Sequence, residues 1–370
     1  MRIFRLSALI LLLVLIFPVS GNAVAVRPDN IRVAVLKGTE SVRLDGTGLV
    51  VCDGHGARLD VTGPAAVKKV RYGLALNGIM AERLRISAPD IVLVNGKGYR
   101  GAIEIIADEK GLLVVNDLPL EDYLTGIING EISSQWSMEA VKAQAVVARS
   151  YAVFQREARK NCEYQLESTV QDQVYGGSDG EDSRAYRGVQ ETAGEVLTYN
   201  GKVIQAFFHS SCGGHTEASE NVWSVALPYL KGVDCKYCLA SPSVSWQQTL
   251  PIRKLESLLR RGGYDVSGLR GIITLDRDRS GRVTALSLLS VRGSKNISAV
   301  DFRKTVGYTV IKSTNFDVRI NGENAVFTGA GYGHGVGLCQ WGAKKRAEEG
   351  FSYREILSYY YPGTTLEKIY

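Results

Sequence analysis

Between residues 30 and 115 the apolar positions alternate with polar ones or gather in short runs, "IRVAVL", "SVRL", "GLVVCD", "IVLV", "GAIEII" and "GLLVVN", with glycine and Asn/Asp turns between them. A period of two punctuated by turn residues predicts short strands, so this part reads as all-β. The pattern then changes. "LEDYLTGII" predicts a helix, and a longer one starts at Met138, with Ser137 as N-cap, and runs to about Lys160. Its stripe of Val141, Ala145, Ala148 and Ala152 recurs at helical spacing, and Val146, Val147 and Val153 cover much of the remaining circumference, which predicts burial. Asn200-Gly201 within "VLTYNGKVIQ" marks a hairpin. Residues 246 to 326 read as a β/α insertion, with the helix "IRKLESLLRR", strands "GIITLD" and "VTALSLLSV", and the helix "SAVDFRKTV". "DRDRSG" at 276 to 281 imitates a calcium loop but has no glutamate at the twelfth position, so it reads as a turn. Ser352-x-x-Glu355 is a capping box opening the final helix. This mixture of strands and helices predicts an α+β fold.

The first residues stand apart. Arg2 and Arg5 precede an apolar run from Ser7 to Phe17, followed by Pro18 and Ala23-Val24-Ala25, the features of a leader cleaved after Ala25. No later stretch approaches the ~20 apolar residues of a membrane span, which predicts an exported product with no stable span after cleavage. Loss of Arg2 and Arg5 takes the formal charge from +6 to +4, spread over 44 basic and 38 acidic residues. So mild an excess suits an anionic polymer such as a cell wall and lacks the dense basic footprint of a nucleic-acid binder.

Six cysteines in an exported chain suggest disulfides first. Their spacing suggests something else for three of them. Cys212 in "HSSCGGHT" and Cys235 and Cys238 in "VDCKYC" give, with His215, a C-x2-H and a C-x2-C pair, which suit a structural tetrahedral zinc. Gly213 and Gly214 let the first turn fold around an ion. His209 competes as fourth ligand, and a disulfide from Cys212 to one of the C-x2-C pair is the other reading. Cys52, Cys162 and Cys339 are left over.

Charges on so apolar a helix need partners or an anionic ligand. Lys142 and Arg149 lie seven residues apart on one face; they read either as a Glu139–Lys142 pair plus a solvated arginine, or as a cationic wall of a cleft. Glu131 in "IINGEISSQW" reads as a loop residue shortly before the helix, near Trp136, and is a candidate acid/base. "GYGHGVGLCQWGA" at 331 to 343 fits neither a P-loop nor a dinucleotide fingerprint. Its alternating glycines suggest a backbone against which something packs closely. His334 reads as a satisfied core histidine or as a donor to a sugar.

Together, "LEDYLTGIINGEISSQWSMEAVKAQAVVARSYA", "QDQVYGG", "FFHSSCGGHTEASENVW", "LPYLKGVDCKYC" and "GYGHGVGLCQWGA" resemble the SpoIID/LytB family of stage II sporulation D and amidase-enhancer proteins. The resemblance covers about residue 91 to the C-terminus and leaves 26–90 as a β-rich N-terminal segment. It implies two lobes flanking a glycan-binding cleft and a lytic transglycosylase that cuts peptidoglycan strands to leave 1,6-anhydro ends. Glu131 stands at the family's catalytic position; Lys142, Arg149, Thr216, Tyr229 and Lys231 stand at its substrate-binding positions. His334 and its glycines would then be cleft wall. The resemblance implies no cofactor for catalysis, and some members carry zinc at the "CGG" turn. The amidase-enhancer branch implies the rival role, a non-catalytic wall-binding module that stimulates an amidase partner.

Overall fold

The structure, a computed structural model, describes residues 30–61 and 63–370; the leader read over residues 1–25 lies outside the described residues. The fold is α+β. Its β-rich part is a seven-stranded sheet centred on Asn30–Thr39, Gly111–Pro119, Ala102–Asp108 and Arg83–Ser87, and a six-stranded sheet built on Ser41–Asp45, Ala65–Val70 and Gly73–Leu76. Alternation in the sequence becomes alternation in space: Val42 and Leu44 are buried while Ser41 and Arg43 face out. Leu44, Val67, Leu84, Ile105 and Val114 meet in one core. The strands Val92–Val94, Lys97–Tyr99, Ala102–Asp108 and Gly111–Pro119 belong to the same two sheets, so the β-rich part continues to Pro119, past the boundary read at residue 90.

Helix α1 (Leu120–Glu131) leaves directly from the last of these strands. It holds two glycines, poor helix formers whose presence has a packing cause. A Cβ on Gly126 would lie 2.7 Å from the Tyr175 ring, and one on Gly130 would lie 2.4 Å from the Val174 carbonyl. The "QVYGG" segment therefore rests on α1 at backbone distance. Helix α2 (Met138–Ala158) is the shared wall of two cores. Val141, Ala145, Ala148 and Ala152 face the β-rich side; Ala140, Ala143, Val146 and Val147 face a second cluster with Leu197, Ile204, Leu338 and Tyr361. Its small side chains are what let both sides approach.

Two short helices follow, α3 (Ser183–Gln190) and α4 (Glu220–Trp223). Between them Asn200 and Gly201 turn the predicted hairpin with φ of 51° and 70°. Residues 246–329 form a body with its own core of Leu255, Leu259, Leu286, Phe302, Phe316 and Phe327, including helices α5 (Ile252–Arg261) and α6 (Ala299–Val306) and two three-stranded sheets. "DRDRSG" turns between Leu269–Arg277 and Val283–Ser290, as read. The chain then returns: Phe208–His209 pairs in parallel with Leu338–Cys339, which runs into α7 (Gln340–Glu348) and α8 (Tyr353–Tyr360). Ser352 and Glu355 form the capping box of α8. No helix among the described residues is long and apolar enough to cross a membrane.

Candidate functional site

Glu131 is the last residue of α1, not a loop residue as its Asn-Gly context suggests. The close seat made by Gly130 places the Val174 N–H 2.7 Å from its Oε1. The side-chain amide of Gln340, the first residue of α7, lies close enough to favour the charged form of the carboxylate. Its Nε2 lies 3.4 Å from Oε1 of the buried Gln144 on α2. Burial raises the pKa of Glu131 to about 7, and the Val174 bond and the Gln340 amide oppose the rise only in part. The C-terminal end of a helix is itself a poor place for a negative charge. The group is thus poised between acid and base near neutrality.

Aromatic side chains line the seam between the two cores, starting at Trp136, five residues after Glu131. Trp136 and Trp341 meet with ring centroids 5.3 Å apart, and Lys344 Nζ lies over both. Phe207 stacks on Trp223 at 4.0 Å and 20°, and the His334 ring is 5.0 Å from Trp223. Tyr151, two turns along α2 from Gln144, touches Phe207 at 6.0 Å. Trp136 and Phe207 each pack against both cores. Trp223 is 39% exposed, so one side of its stack is open to a ligand.

His334 sits within this aromatic group and accepts a bond from the Val336 N–H at Nδ1 (3.1 Å). Burial, with Arg303 and Arg282 nearby, lowers its pKa to about 3, so it stays neutral and keeps an Nε2–H. The glycines around it are not bare for a sugar. A Cβ on Gly331 would strike the Ser211 carbonyl (2.7 Å), on Gly333 the His209 Cβ (2.7 Å), on Gly335 the Arg282 guanidinium (2.8 Å) and on Gly337 the Phe207 carbonyl (2.0 Å). The close neighbour predicted from the alternation is the protein's own 207–212 segment and Arg282.

Two proposed glycan contacts are consumed inside the fold. Arg149 is fully buried, binds both oxygens of Glu121 (2.8 and 2.7 Å) and donates to the carbonyls of Glu195 and Val189, so it cannot face a cleft. Lys142 pairs with Glu139 (3.1 Å) and Glu191 (2.7 Å), on the side of α2 away from Gln144. Thr216 is buried and ties to Val233 through its hydroxyl, and Tyr229 packs on Tyr199. Lys231 is exposed and bridges to Ala218 through the backbone. None of these three hydrogen-bonds Glu131 among the described residues.

The structure brings Cys212, Cys235 and Cys238 together, and the fourth member is Cys339 in place of His215. His215 turns its Nδ1 to the Thr216 carbonyl, and His209 turns its own to the Val336 carbonyl (3.1 Å); neither joins the set. All six cysteines are free thiols, including Cys52 and Cys162, which lie elsewhere. Sequence reasoning also missed Gln340, Trp341, Phe207, Trp223 and Arg282. Four of them carried a signal: Gln340 and Trp341 lie within "GYGHGVGLCQWGA", and Phe207 and Trp223 are the two ends of "FFHSSCGGHTEASENVW", whereas nothing in sequence marks Arg282.

This combination of a helix-end glutamate, a "QVYGG" seat and a glycine-rich return strand defines a class. Residues 108–199 match the family model described as stage II sporulation protein, and residues 240–337 match a domain of unknown function, DUF8618. The chain is 36% identical to an uncharacterized protein of Brachyspira hyodysenteriae over 80% of both chains. It is 30% identical to stage II sporulation protein D of Bacillus subtilis, over 69% of this chain and 76% of that one. It is also 33% identical to the amidase enhancer of Bacillus subtilis over 66% of this chain, spanning 40% of that longer protein. The chain belongs to the stage II sporulation protein D (SpoIID) family.

Proposed function

We propose that this protein is an exported peptidoglycan lytic transglycosylase with Glu131 as general acid and base. The observation that supports it most is the half-buried Glu131 carboxyl whose pKa is raised to about 7, close in sequence to Trp136 of an aromatic seam between the two cores. An acid/base group is most effective when its pKa lies near the working pH, and aromatic walls suit sugar faces. In this reaction Glu131 protonates the glycosidic oxygen as the bond from muramic C1 breaks. The carboxylate then takes the proton of the muramic C6 hydroxyl as that oxygen closes on C1. Glu131 recovers its proton, no water is consumed, and a 1,6-anhydro end forms. No second carboxylate is needed, unlike the usual two-carboxylate hydrolysis. The Val174 N–H holds the carboxylate between the two transfers, with the Gln340 amide beside it favouring its charged form.

The amidase-enhancer relative favours a second reading, a wall-binding module that stimulates an amidase and in which Glu131 is dispensable. Incubation of the wild-type and Glu131→Gln proteins with glycan strands, with products read by mass spectrometry, separates the two. The first reading expects 1,6-anhydro ends from wild type and at least about 10²-fold fewer from the variant. Binding without cleavage by either protein would transfer the assignment to the enhancer role.

A further inference from the structure

We infer that the inserted body is a polyanion-binding module, in which a cationic stripe on α5 and a pocket between α5 and α6 take the phosphate groups of a hydrated envelope polymer. The modest charge of the whole chain conceals a partition. Residues 246–329 hold 14 basic and 7 acidic side chains, a net charge of +7, whereas the whole chain is +6, so all the other residues together carry −1. Leu255 and Leu259 bury one side of α5 in the core of the body. At 100° per residue, Arg253, Lys254, Arg260 and Arg261 form a single stripe opposite them, about 10 Å long. All four are exposed, and none has a carboxylate within ion-pair distance among the described residues. The ion pairs internal to the body, Arg277 with Asp317 and Arg292 with Asp265, lie elsewhere. Glu256, the acid on the helix itself, is committed to the Leu269 N–H at 2.7 Å.

The placement of Arg253 and Lys254 separates this stripe from an ordinary solvated face. They lie in the first turn of α5, where the positive end of the helix dipole opposes cations, and no acidic residue accompanies them there. Arg260 and Arg261, in the last turn, are favoured by the same dipole, so helix stability accounts for two of the four cations and is opposed by the other two. The pocket is the second observation. Gly262 ends α5 against α6, where a Cβ would lie 2.4 Å from Thr305 Cγ2. Beside that contact is a concavity of about 400 Å³ lined by Arg261, Tyr264, Lys304 and Thr305, with Leu258. Its acid, Asp301, has Oδ2 occupied by the Ser298 hydroxyl at 2.8 Å. A guanidinium, an ammonium and two hydroxyl side chains offer more donors than the two oxygens of a carboxylate call for, and they suit the oxygens of a phosphate. Neither α5 nor α6 exposes a large apolar side chain, which favours a hydrated polymer over insertion into a lipid surface. For a chain expected to be exported, such phosphates belong to polymers of the envelope. Docking through the body raises the local concentration of wall at the Glu131 seam without any new contact there. The inference concerns binding and does not depend on cleavage by Glu131.

The test is calorimetric titration of the full chain with deacylated poly(glycerol phosphate) at about 0.15 M salt. Saturable binding is expected, with an affinity that falls steeply as salt rises. The fourfold variant Arg253→Gln, Lys254→Gln, Arg260→Gln and Arg261→Gln is expected to bind at least about 10-fold more weakly, with a shallower salt dependence. A control variant carrying Lys68→Gln, Arg71→Gln, Lys110→Gln and Lys202→Gln removes the same charge from exposed positions outside the body and is expected to change the affinity by less than about 2-fold. Lys304→Gln alone is expected to cost about 2- to 5-fold, and it decides the matter if the α5 variant melts early. Equal affinities of the two fourfold variants or absence of binding would overturn the assignment. So would tighter binding to phosphatidylglycerol vesicles, or to peptide-free glycan strands, which carry carboxylates and no phosphate.

Discussion

The two ends of α1 each carry a glutamate, and the protein treats them in opposite ways. Glu121, in the first turn, lies at the positive end of the helix dipole and meets Arg149 through two charge-assisted bonds. Arg149 in turn donates to carbonyls at Val189 and Glu195, so one ion pair joins α1, α2 and the segment after α3. Glu131, at the negative end, receives one backbone N–H from Val174, has the Gln340 amide nearby and pairs with no cation among the described residues. The same side chain, ten residues apart on one twelve-residue helix, is compensated at one end and left short at the other. Compensation serves the fold; shortage costs stability and leaves a group able to exchange protons at neutral pH.

The contrast can be broken most forcefully at Arg149. Arg149→Ala leaves Glu121 facing an emptied site and is expected to cost ~3–5 kcal/mol in urea unfolding. A loss below about 1 kcal/mol, with weakened glycan binding, would restore the arginine to the ligand. Gly130→Ala forces a methyl into the Val174 carbonyl and is expected to cost about 1–3 kcal/mol while withdrawing the N–H from Glu131. At the other end the sign reverses. Because the folded pKa of Glu131 is raised to about 7, its ionisation opposes folding: the penalty is absent below the unfolded value near 4.5, grows as pH rises, and is complete above about 7. Glu131→Gln should therefore stabilise the protein by about 1–3 kcal/mol at pH 8 and have little effect at pH 4, in parallel melts. Smallest is Gln340→Leu, which removes the amide beside the carboxylate and should move the Glu131 titration upward by about half a unit to one unit, read by carboxyl NMR.

Much of the fold was legible because its causes are local. Alternation in "SVRLD", the turn residues Asn200-Gly201 and the Ser352/Glu355 box each carry their structure within a few residues. The α2 span was legible for the same reason: the expected start at Met138 is observed, and the end falls at Ala158, two residues before the one expected. Glu131 was singled out as a chemical candidate from its neighbours in sequence, but its place was misread because Gly130 looks like a helix stop until Val174 is seen resting on it. The partners of Arg149 and Lys142 include Glu121 and Glu191, far from them in sequence, and helical spacing alone cannot reveal that those charges are taken. Cys339 was left over because it is 127 residues from Cys212, with no shared spacing motif. The glycine run was read correctly as a close approach and wrongly as to what approaches.

That long separation has a consequence for assembly. Residues 246–329 leave and return at adjacent points, since Trp246 pairs with Gly329 and the Gly331 N–H bonds the Ser243 carbonyl at 2.7 Å. Once that body has closed on its own core, the stretch of loose chain between Cys212 and Cys339 falls to about one third, which lowers the loop-closure entropy by roughly 1 kcal/mol. Loop entropy therefore favours an order in time, with the inserted body forming before Phe208–His209 pairs with Leu338–Cys339. Pulse-labelled hydrogen exchange should find the amides of 283–290 protected before that of Leu338, and the reverse order would refute the sequence of events. By folding on its own closely spaced ends, the excursion shortens the loose chain that this strand pair has to close.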